Sequence, residues 1–321
     1  MWCDSIVLIA SLALMVYSAD TFVDGAAAIA QNWGVSALLI GLTVVGFGTS
    51  IPEVLVSGLA SWQGNAGLAV GNALGSNIAN IGLILGCCAL IMPLTFRTKL
   101  LRRELQLLLI TSLLCFGLAF DGLSRSDGII LMVGLVCFIA WLVRNGLDQS
   151  KNGDFNDTLA MPLPMCSMRL AWFITIIGLL GLLISSRLLV WASVNIANAL
   201  GVSDLVIGLT LVAMGTSLPE LAASAASVLK RQTDLAVGNV IGSNMYNLLA
   251  VYSLPGLIAP GPVNESVLSR DFPMMLALTL AFFVFVFGFF KSRRINRWEG
   301  VFLLSSYGAY QWLVFKSTIA G

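Results

Sequence analysis

The chain has 321 residues, of which 58% are apolar and 10% charged, and its mean hydropathy is +0.93. A soluble domain carries about a quarter charged residues and a nucleic-acid binder an excess of basic ones, so a net charge of +1 at this composition excludes both classes. The absence of histidine excludes a Ser-His-Asp or Cys-His nucleophile and any imidazole-ligated metal site. The composition predicts an all-α integral membrane protein.

The apolar runs predict ten transmembrane helices, since one crossing of a bilayer takes about 20 apolar residues. In chain order the predicted spans are 5–26, 36–62, 68–92, 100–120, 127–143, 170–190, 204–229, 235–258, 272–290 and 298–315. Pro52 lies inside the second span and Pro219 inside the seventh. Because proline removes a helical hydrogen bond and clashes with the preceding turn, we expect a break or kink at both positions.

A polar connection separates the first five predicted spans from the last five. We therefore predict a first five-helix repeat at residues 1–143, a linker at 144–169 and a second five-helix repeat at 170–321. Thirteen of the 17 Lys and Arg residues lie in the connections, or at the adjoining span ends, on one side of this topology, the linker included; the exceptions are Arg125, Arg187, Arg270 and Lys316. By the positive-inside rule that side is cytoplasmic, which places both termini outside.

The two halves of the chain contain copies of one segment. Residues 34–80 align without a gap on residues 201–247, at a constant offset of 167, and 24 of the 47 pairs are identical. The identities include Thr, Ser, Pro, Glu, Gly and Asn, which a shared apolar composition would not align, so the chain is a tandem duplication. Each half of the chain holds five predicted spans, an odd number, so the second half crosses the membrane in the opposite sense to the first. We predict two inverted five-helix repeats, an architecture of secondary transporters with an ion site near the bilayer midplane.

Of the 16 carboxylate residues, only Glu53 and Glu220 lie deep inside predicted spans, and they occupy equivalent positions in the two copies. A charge at the bilayer centre costs about 2.5–3.5 kcal/mol even on insertion scales, so a matched pair indicates a function. Neither span contains a Lys or Arg that could neutralise the pair. Asp20 and Asp24, in the first span, are expected to be solvated helix-end caps, with the lining of an entrance as the alternative.

Oxygen-bearing side chains accompany each glutamate. They form two matched sets, Thr49, Ser50, Ser76 and Asn80 in the first copy and Thr216, Ser217, Ser243 and Asn247 in the second. Pro52 and Pro219 also free main-chain carbonyls one turn earlier, which a cation can satisfy inside a membrane. Carboxylates, hydroxyls, amides and carbonyls suit calcium, which takes about six to eight oxygen ligands, or sodium. They disfavour zinc and copper, and the negative charge disfavours phosphate.

The motifs GTSIPE (48–53) and GTSLPE (215–220) are each followed by a G-N-x-x-G-S-N block. They resemble the two alpha-repeats of the sodium/calcium exchanger superfamily of cation antiporters, above all its bacterial inner-membrane calcium/sodium:proton branch. The resemblance implies an exchanger-type fold and a secondary-active antiporter, not an enzyme, that exchanges Ca2+ for Na+ or H+ by alternating access. It implies no cofactor and no obligate protein partner, only membrane lipid and the transported cations. The localisation implied is the bacterial inner membrane, with periplasmic termini and a cytoplasmic linker.

Carried over to this sequence, the resemblance makes Glu53 and Glu220 the central Ca2+ ligands, helped by the main-chain carbonyls of Thr49 and Thr216. The residues implied for the flanking sodium sites and for closing the ligand ring are Ser50, Ser217, Ser76, Ser243, Asn80 and Asn247. Potassium-dependent members carry Asp where this chain has Asn247, so co-transport of K+ is not expected. The first and sixth spans would slide across the core to switch access.

Two other functions stay open from the residues alone. Glu53 and Glu220 could be the general acid and base of an intramembrane hydrolase, although duplicated surroundings favour matching roles over the different roles that catalysis needs. A cation channel would use the same ligands. Counter-transport, with one ion driving the other, distinguishes an exchanger from both.

Overall fold

The computed structural model describes residues 2–95, 100–152, 166–199, 213–287 and 294–320. Helices lie in all ten predicted spans, although residues 204–212 and 288–290 of two spans lie outside the described residues. The α-helices are α1 (Trp2–Trp33), α2 (Ala37–Ile40), α3 (Gly46–Thr49), α4 (Ile51–Trp62), α5 (Ala66–Ala79), α6 (Gly86–Ile91), α7 (Leu100–Ala119), α8 (Arg125–Asn152), α9 (Met168–Ala199), α10 (Ala213–Gly215), α11 (Leu218–Leu229), α12 (Thr233–Tyr246), α13 (Ser253–Ile258), α14 (Phe272–Phe287) and α15 (Arg297–Ala320). Within the described residues, π-helical turns lie at Gly41–Val45, Asn80–Leu85, Asn247–Val251 and Val267–Asp271.

Length and apolar composition allow five helices of the described ranges to cross a membrane, or six if the bent pair Ala37–Thr49 and Ile51–Trp62 forms one span. The five are Trp2–Trp33, Ala66–Ile91, Arg125–Asp148, Met168–Ile196 and Val267–Phe287. The all-α membrane class is thereby confirmed, whereas ten crossings and the inversion of the repeats stay predictions. Two short strands that the sequence did not indicate, β1 (Leu94–Thr95) and β2 (Arg294–Ile295), pair antiparallel.

The expected break is present in both copies, and it precedes the proline. Helix α3 ends at Thr49 and α4 begins at Ile51, with a bend of 43° between the two segments. Pro52 lies in the first turn of α4. Backbone N–H groups in the first turn of a helix make no intrahelical hydrogen bond, so the missing N–H of proline costs nothing there. The second copy is built alike, since Pro219 lies in the first turn of α11. Each proline therefore starts the helix whose first turn carries the glutamate.

Helices α4 and α11 end in the same turn although the sequence differs there. The amide of Gln63 donates to the carbonyl of Leu59 at 3.0 Å, and that of Lys230 to Ala226 at 3.0 Å. The next residue has a positive φ in both copies, +77° in Gly64 and +60° in Arg231. This conformation is free for glycine but costs another residue about 1–2 kcal/mol. Packing around the turn therefore keeps its geometry even with an arginine in place.

The two copies meet where α12 packs against α2 and the π-helical turn that follows it. A Cβ atom on Gly238 would lie 2.4 Å from the carbonyl oxygen of Leu38, and one on Gly242 would lie 2.6 Å from that of Leu42. Only glycine permits this approach, because real Cβ atoms do not come so close to a backbone. Gly238 and Gly242 thus bring the two halves into contact, whereas the equivalent Gly71 and Gly75 of the first copy make no such close approach.

Helix α1 runs alongside α9, its counterpart in the second half, over most of its length. Three glycines let them touch, since a Cβ on Gly25 would lie 2.4 Å from Thr175 Oγ1, one on Gly178 2.5 Å from Phe22 N, and one on Gly181 2.2 Å from Ser18 Oγ. Both helices are longer than the predicted spans 5–26 and 170–190. They form one unit beside the part that carries the glutamates.

Candidate cation site

Glu53 and Glu220 come from different halves of the chain and meet inside the protein. Glu53 is 0% exposed and Glu220 1%, and each lies in the first turn of its helix. Their carboxylates are close enough to interact electrostatically. None of their four oxygen atoms has a hydrogen-bond partner among the described residues. Two buried carboxylates without partners are very costly unless a cation or protons neutralise them.

Further polar atoms of the predicted ligands are also buried and lack partners within the described part of the chain. They are Ser50 Oγ, Thr216 Oγ1, Ser217 Oγ, Asn80 Oδ1, Asn247 Oδ1 and Asn247 Nδ2. Thr216 lies beside Glu53, and Ser50 beside Glu220, so each glutamate faces hydroxyls of the other copy. The described residues contain no group of three or more His, Cys, Asp or Glu side chains that could hold a metal. The candidate site therefore combines the two carboxylates with neighbouring neutral hydroxyls such as those of Thr216 and Ser50.

Thr49, Ser243 and Ser76, the other predicted ligands, are buried as well. Thr49 Oγ1 lies 3.1 Å from the carbonyl oxygen of Val45 and 3.4 Å from Ser243 Oγ, whose hydroxyl lies 3.3 Å from the carbonyl oxygen of Gly46. Thr49 is therefore hydrogen-bonded, whereas its counterpart Thr216 keeps a hydroxyl without a described partner. The two halves of the site are matched in sequence but differ in their hydrogen bonds.

Two equivalent asparagines hold the glutamate backbones. Asn72 Nδ2 donates to the carbonyl oxygen of Glu53 at 3.1 Å and to Ser57 Oγ at 2.9 Å. Asn239 Nδ2 donates to the carbonyl oxygen of Glu220 at 3.3 Å and to Ser224 Oγ at 2.9 Å. The same pair of bonds in both copies fixes the start of α4 against α5 and of α11 against α12.

Asn77 and Asn244 were missed as site residues by the sequence analysis, although both copies of the G-S-N block contain them. They are equivalent positions that meet each other: Asn77 Nδ2 donates to the carbonyl oxygen of Asn244 at 3.4 Å. Asn80 Nδ2 donates to Asn244 Oδ1 at 2.9 Å, which leaves Asn80 Oδ1 available. Asn80 and Asn247 also begin equivalent π-helical turns, a distortion frequent at functional sites.

Burial alone does not single out the glutamate pair. Glu104 on α7 is 0% exposed, and its carboxylate has no partner in the described residues. Asp271 is also buried, but Arg270 and Tyr310 hydrogen-bond to it. What distinguishes Glu53 and Glu220 is their proximity to each other and to the surrounding neutral oxygens.

The expectation that Asp20 and Asp24 cap a helix end was wrong, although both side chains are partly exposed, at 59% and 42%. Helix α1 continues to Trp33, so both residues lie well inside the helix and cannot cap its end. Both carboxylates instead contact the ammonium group of Lys230, which follows α11. The predicted span was too short because its last turns are rich in alanine and polar residues.

The fold defines an integral membrane protein, and the buried glutamate pair with its neighbouring hydroxyls is a candidate site for a hard cation. Residues 5–144 and 170–316 match the sodium/calcium exchanger protein family, and the chain belongs to that family. The resemblance seen in the repeated motifs is thereby confirmed.

Known relatives cover nearly the whole chain. CaxA of Alkalimonas amylolytica is 44% identical over 318 residues, covering 98% of this chain and 99% of CaxA. The inner membrane protein YrbG of Escherichia coli (strain K12) is 43% identical, covering 86% of each chain. A solved structure of the sodium-calcium exchanger NCX_Mj, soaked with 2.5 mM Na+ and 0.1 mM Ca2+, is similar with a TM-score of 0.81 at 34% identity, covering 95% of this chain and 96% of the other. The exchanger-type fold is therefore confirmed.

Proposed function

We propose that this protein is a secondary-active antiporter that exchanges Ca2+ for Na+ across a membrane by alternating access. The observation that carries the proposal is the meeting of Glu53 and Glu220, two buried carboxylates without hydrogen-bond partners in the described residues. One divalent cation neutralises both charges and replaces the missing partners. Membership of the sodium/calcium exchanger family and the likeness to NCX_Mj support this choice of ions.

Ca2+ would bind centrally. The two carboxylates offer four oxygens, and the main-chain carbonyls of Thr49 and Thr216 lie at the helix breaks beside them. This approaches the coordination number of about six to eight that Ca2+ takes, with oxygen ligands alone. Glutamates at the starts of two short helices can adjust their side chains as the ion enters.

Na+ would use the neutral oxygens that flank the carboxylates. The residues that supply them are Ser50, Ser217, Ser76, Ser243, Asn80 and Asn247. A monovalent cation needs fewer negatively charged ligands than a divalent one, so neutral hydroxyl and amide oxygens can coordinate Na+. Protons on Glu53 and Glu220 would relieve the same repulsion, so H+ is the alternative counter-ion.

Exchange follows from competition for one set of ligands. In the empty site two facing carboxylates carry uncompensated charge in a low-dielectric interior, and this opposes the conformational change between the two access states. A bound cation neutralises that charge, so the loaded protein can change from one access state to the other. The unit of α1 and α9 packs against the glutamate helix α11 and against α2 and α3, which precede the other glutamate helix, and it is the element that would slide between the two states.

The proposed location is the bacterial inner membrane, as for the relative YrbG. The bias of thirteen basic residues toward one side supports outer termini and a cytoplasmic linker. We propose a transporter without resident cofactor or obligate protein partner rather than an enzyme. The matched surroundings of Glu53 and Glu220 support equivalent ligand roles over the distinct roles of a hydrolytic acid and base.

The test is counter-transport in liposomes containing the purified protein. Vesicles loaded with Na+ are diluted into Na+-free buffer with calcium-45, and the reverse experiment measures Na+ efflux driven by external Ca2+. Uptake that depends on internal Na+ supports exchange. Uptake driven by a pH gradient without Na+ would identify H+ as counter-ion, and Ca2+ movement without any counter-ion would identify a channel. Adding K+ on either side tests the expectation drawn from Asn247.

A further inference from the structure

An ion cluster joins the α1–α9 unit to the helix that carries Glu220. Lys230 Nζ lies 2.8 Å from Asp20 Oδ1, 2.5 Å from Asp24 Oδ1 and 3.1 Å from the carbonyl oxygen of Asp20. These three acceptors match the three N–H groups of an ammonium. The Lys230 side chain is 23% exposed, so the lysine is well enclosed although its two partners are more open.

The cluster connects two parts that the fold builds separately. Asp20 and Asp24 lie on α1, which is locked to α9 through the glycine contacts described above. Lys230 directly follows α11, and its backbone is fixed by the turn that Arg231 completes with φ +60°. Movement of α1 and α9 along the glutamate helices must therefore separate Lys230 from both aspartates.

The repeat shows that the cluster exists on one side only. The alignment of the two copies can be extended toward the N-terminus at the same offset of 167 without a gap. The extended alignment pairs α1 with α9 and aligns identical residues such as Ser18 with Ser185 and Val23 with Val190. It places Gln63, Arg187 and Trp191 at the positions equivalent to Lys230, Asp20 and Asp24. Gln63 follows α4 in the same turn as Lys230, but no acid faces it at the equivalent positions. The ion cluster thus breaks the symmetry of two otherwise matched helix ends.

We propose that Lys230 with Asp20 and Asp24 is a one-sided latch that holds the cytoplasmic face closed and so favours the state open to the outside. The inference rests on the proposed alternating-access exchange. In an inverted repeat the two access states exchange the surroundings of the two halves, so a contact present on one side alone stabilises one state alone. Since ion pairs at partly exposed positions are modest, we expect the latch to change the ratio of the two states about two- to five-fold.

Hydrogen–deuterium exchange of the full-length protein in lipid nanodiscs tests the latch without measuring transport. Lys230→Met keeps most of the side-chain volume and removes the charge. We expect about two- to five-fold faster exchange at the proposed cytoplasmic ends, residues 20–33 and 226–232, and slower exchange at the proposed outer ends, residues 59–65 and 187–196. Lys230→Arg retains the charge and should exchange like the unmodified protein.

A graft of the latch provides the reciprocal test. Gln63→Lys combined with Arg187→Asp places an acid–base pair at the equivalent outer positions and should shift exchange in the same direction as Lys230→Met. Gln63→Lys alone, which adds a base beside Arg187, should not produce that shift.

Opposite changes at the two faces support the latch, since local loss of structure would only speed exchange near residue 230. Unchanged exchange in Lys230→Met, or faster exchange confined to residues 226–232, would overturn it. Hydrogen–deuterium exchange reports the populations of the two access states and does not depend on ion flux. A negative result for the latch can therefore be distinguished from a failure of Ca2+/Na+ exchange in the liposome experiment.

Discussion

The hydroxyl of Thr49 lies 3.2 Å from Oδ1 of Asn239, and this contact joins the first copy of the repeat to the second. Asn239 also donates to the backbone of Glu220 and to Ser224. One amide therefore links the helix break of one copy to the glutamate of the other. Asn72, the equivalent residue of the first copy, donates only within its own copy, to the carbonyl oxygen of Glu53 and to Ser57 Oγ.

Asn239→Ala should impair both stability and the geometry of the site more than Asn72→Ala does. The substitution removes the amide's bonds to the Glu220 carbonyl and to Ser224 and its contact with Thr49, whose hydroxyl keeps Val45 and Ser243 as partners, and each lost bond costs about 0.5–1.5 kcal/mol. Thermal unfolding in detergent measures the difference, with Asn72→Ala as the matched variant. Equal destabilisation by both substitutions would show that the contact between copies contributes little.

Gly242→Ala should destabilise the interface of the two copies. Its Cβ would lie 2.6 Å from the carbonyl oxygen of Leu42, and backbone cannot move aside as a side-chain end can. We expect a loss of about 1–3 kcal/mol, as for overpacked cores. Gly117→Ala is the control, because no described atom beyond its own stretch of helix backbone lies within 4 Å of its Cβ position and alanine favours the helix by up to about 1 kcal/mol. If Gly242→Ala matched Gly117→Ala in thermal stability, the close packing of α12 would be refuted.

Asn247→Ala should weaken cation binding while Asn247→Asp should not. Both polar atoms of the amide are buried without partners in the described chain, so alanine removes an available oxygen ligand and aspartate keeps one. For the alanine variant we expect about a tenfold rise in the Ca2+ or Na+ concentration needed for half-maximal exchange. This corresponds to a loss of about 1.4 kcal/mol in binding free energy, which is similar to the contribution of one hydrogen bond. Dose–response curves of liposome flux provide the measurement. Unchanged curves for the alanine variant would remove Asn247 from the ligand set.

The glutamate pair and the helix breaks could be predicted from sequence because both depend on local, repeated signals. Pro52 and Pro219 cannot continue a helix from the preceding turn, and a charge inside an apolar run is conspicuous in any register. The constant offset between the copies then pairs Glu53 with Glu220 without knowledge of the fold.

Other features depend on contacts between distant segments and gave no such signal. The pairing of Lys230 with Asp24 joins residues 206 positions apart, and composition alone marked Asp24 as a solvated cap. The role of Asn244 depends on its meeting with Asn77 and Asn80, which hydropathy cannot register. Likewise β1 pairs with β2 across most of the chain, and two residues are too few for a strand pattern.

Calcium-45 uptake into Na+-loaded liposomes by Glu53→Gln and Glu220→Gln tests whether the two glutamates bind the transported Ca2+, with Glu104→Gln as the control because Glu104 is an equally buried carboxylate outside the proposed ligands. All three variants are compared as monodisperse protein after size-exclusion chromatography. We expect each of the first two substitutions to abolish Na+-dependent uptake, since glutamine keeps the shape but removes the charge that Ca2+ requires, and we expect Glu104→Gln to retain it. Robust uptake by both Glu53→Gln and Glu220→Gln would contradict the account.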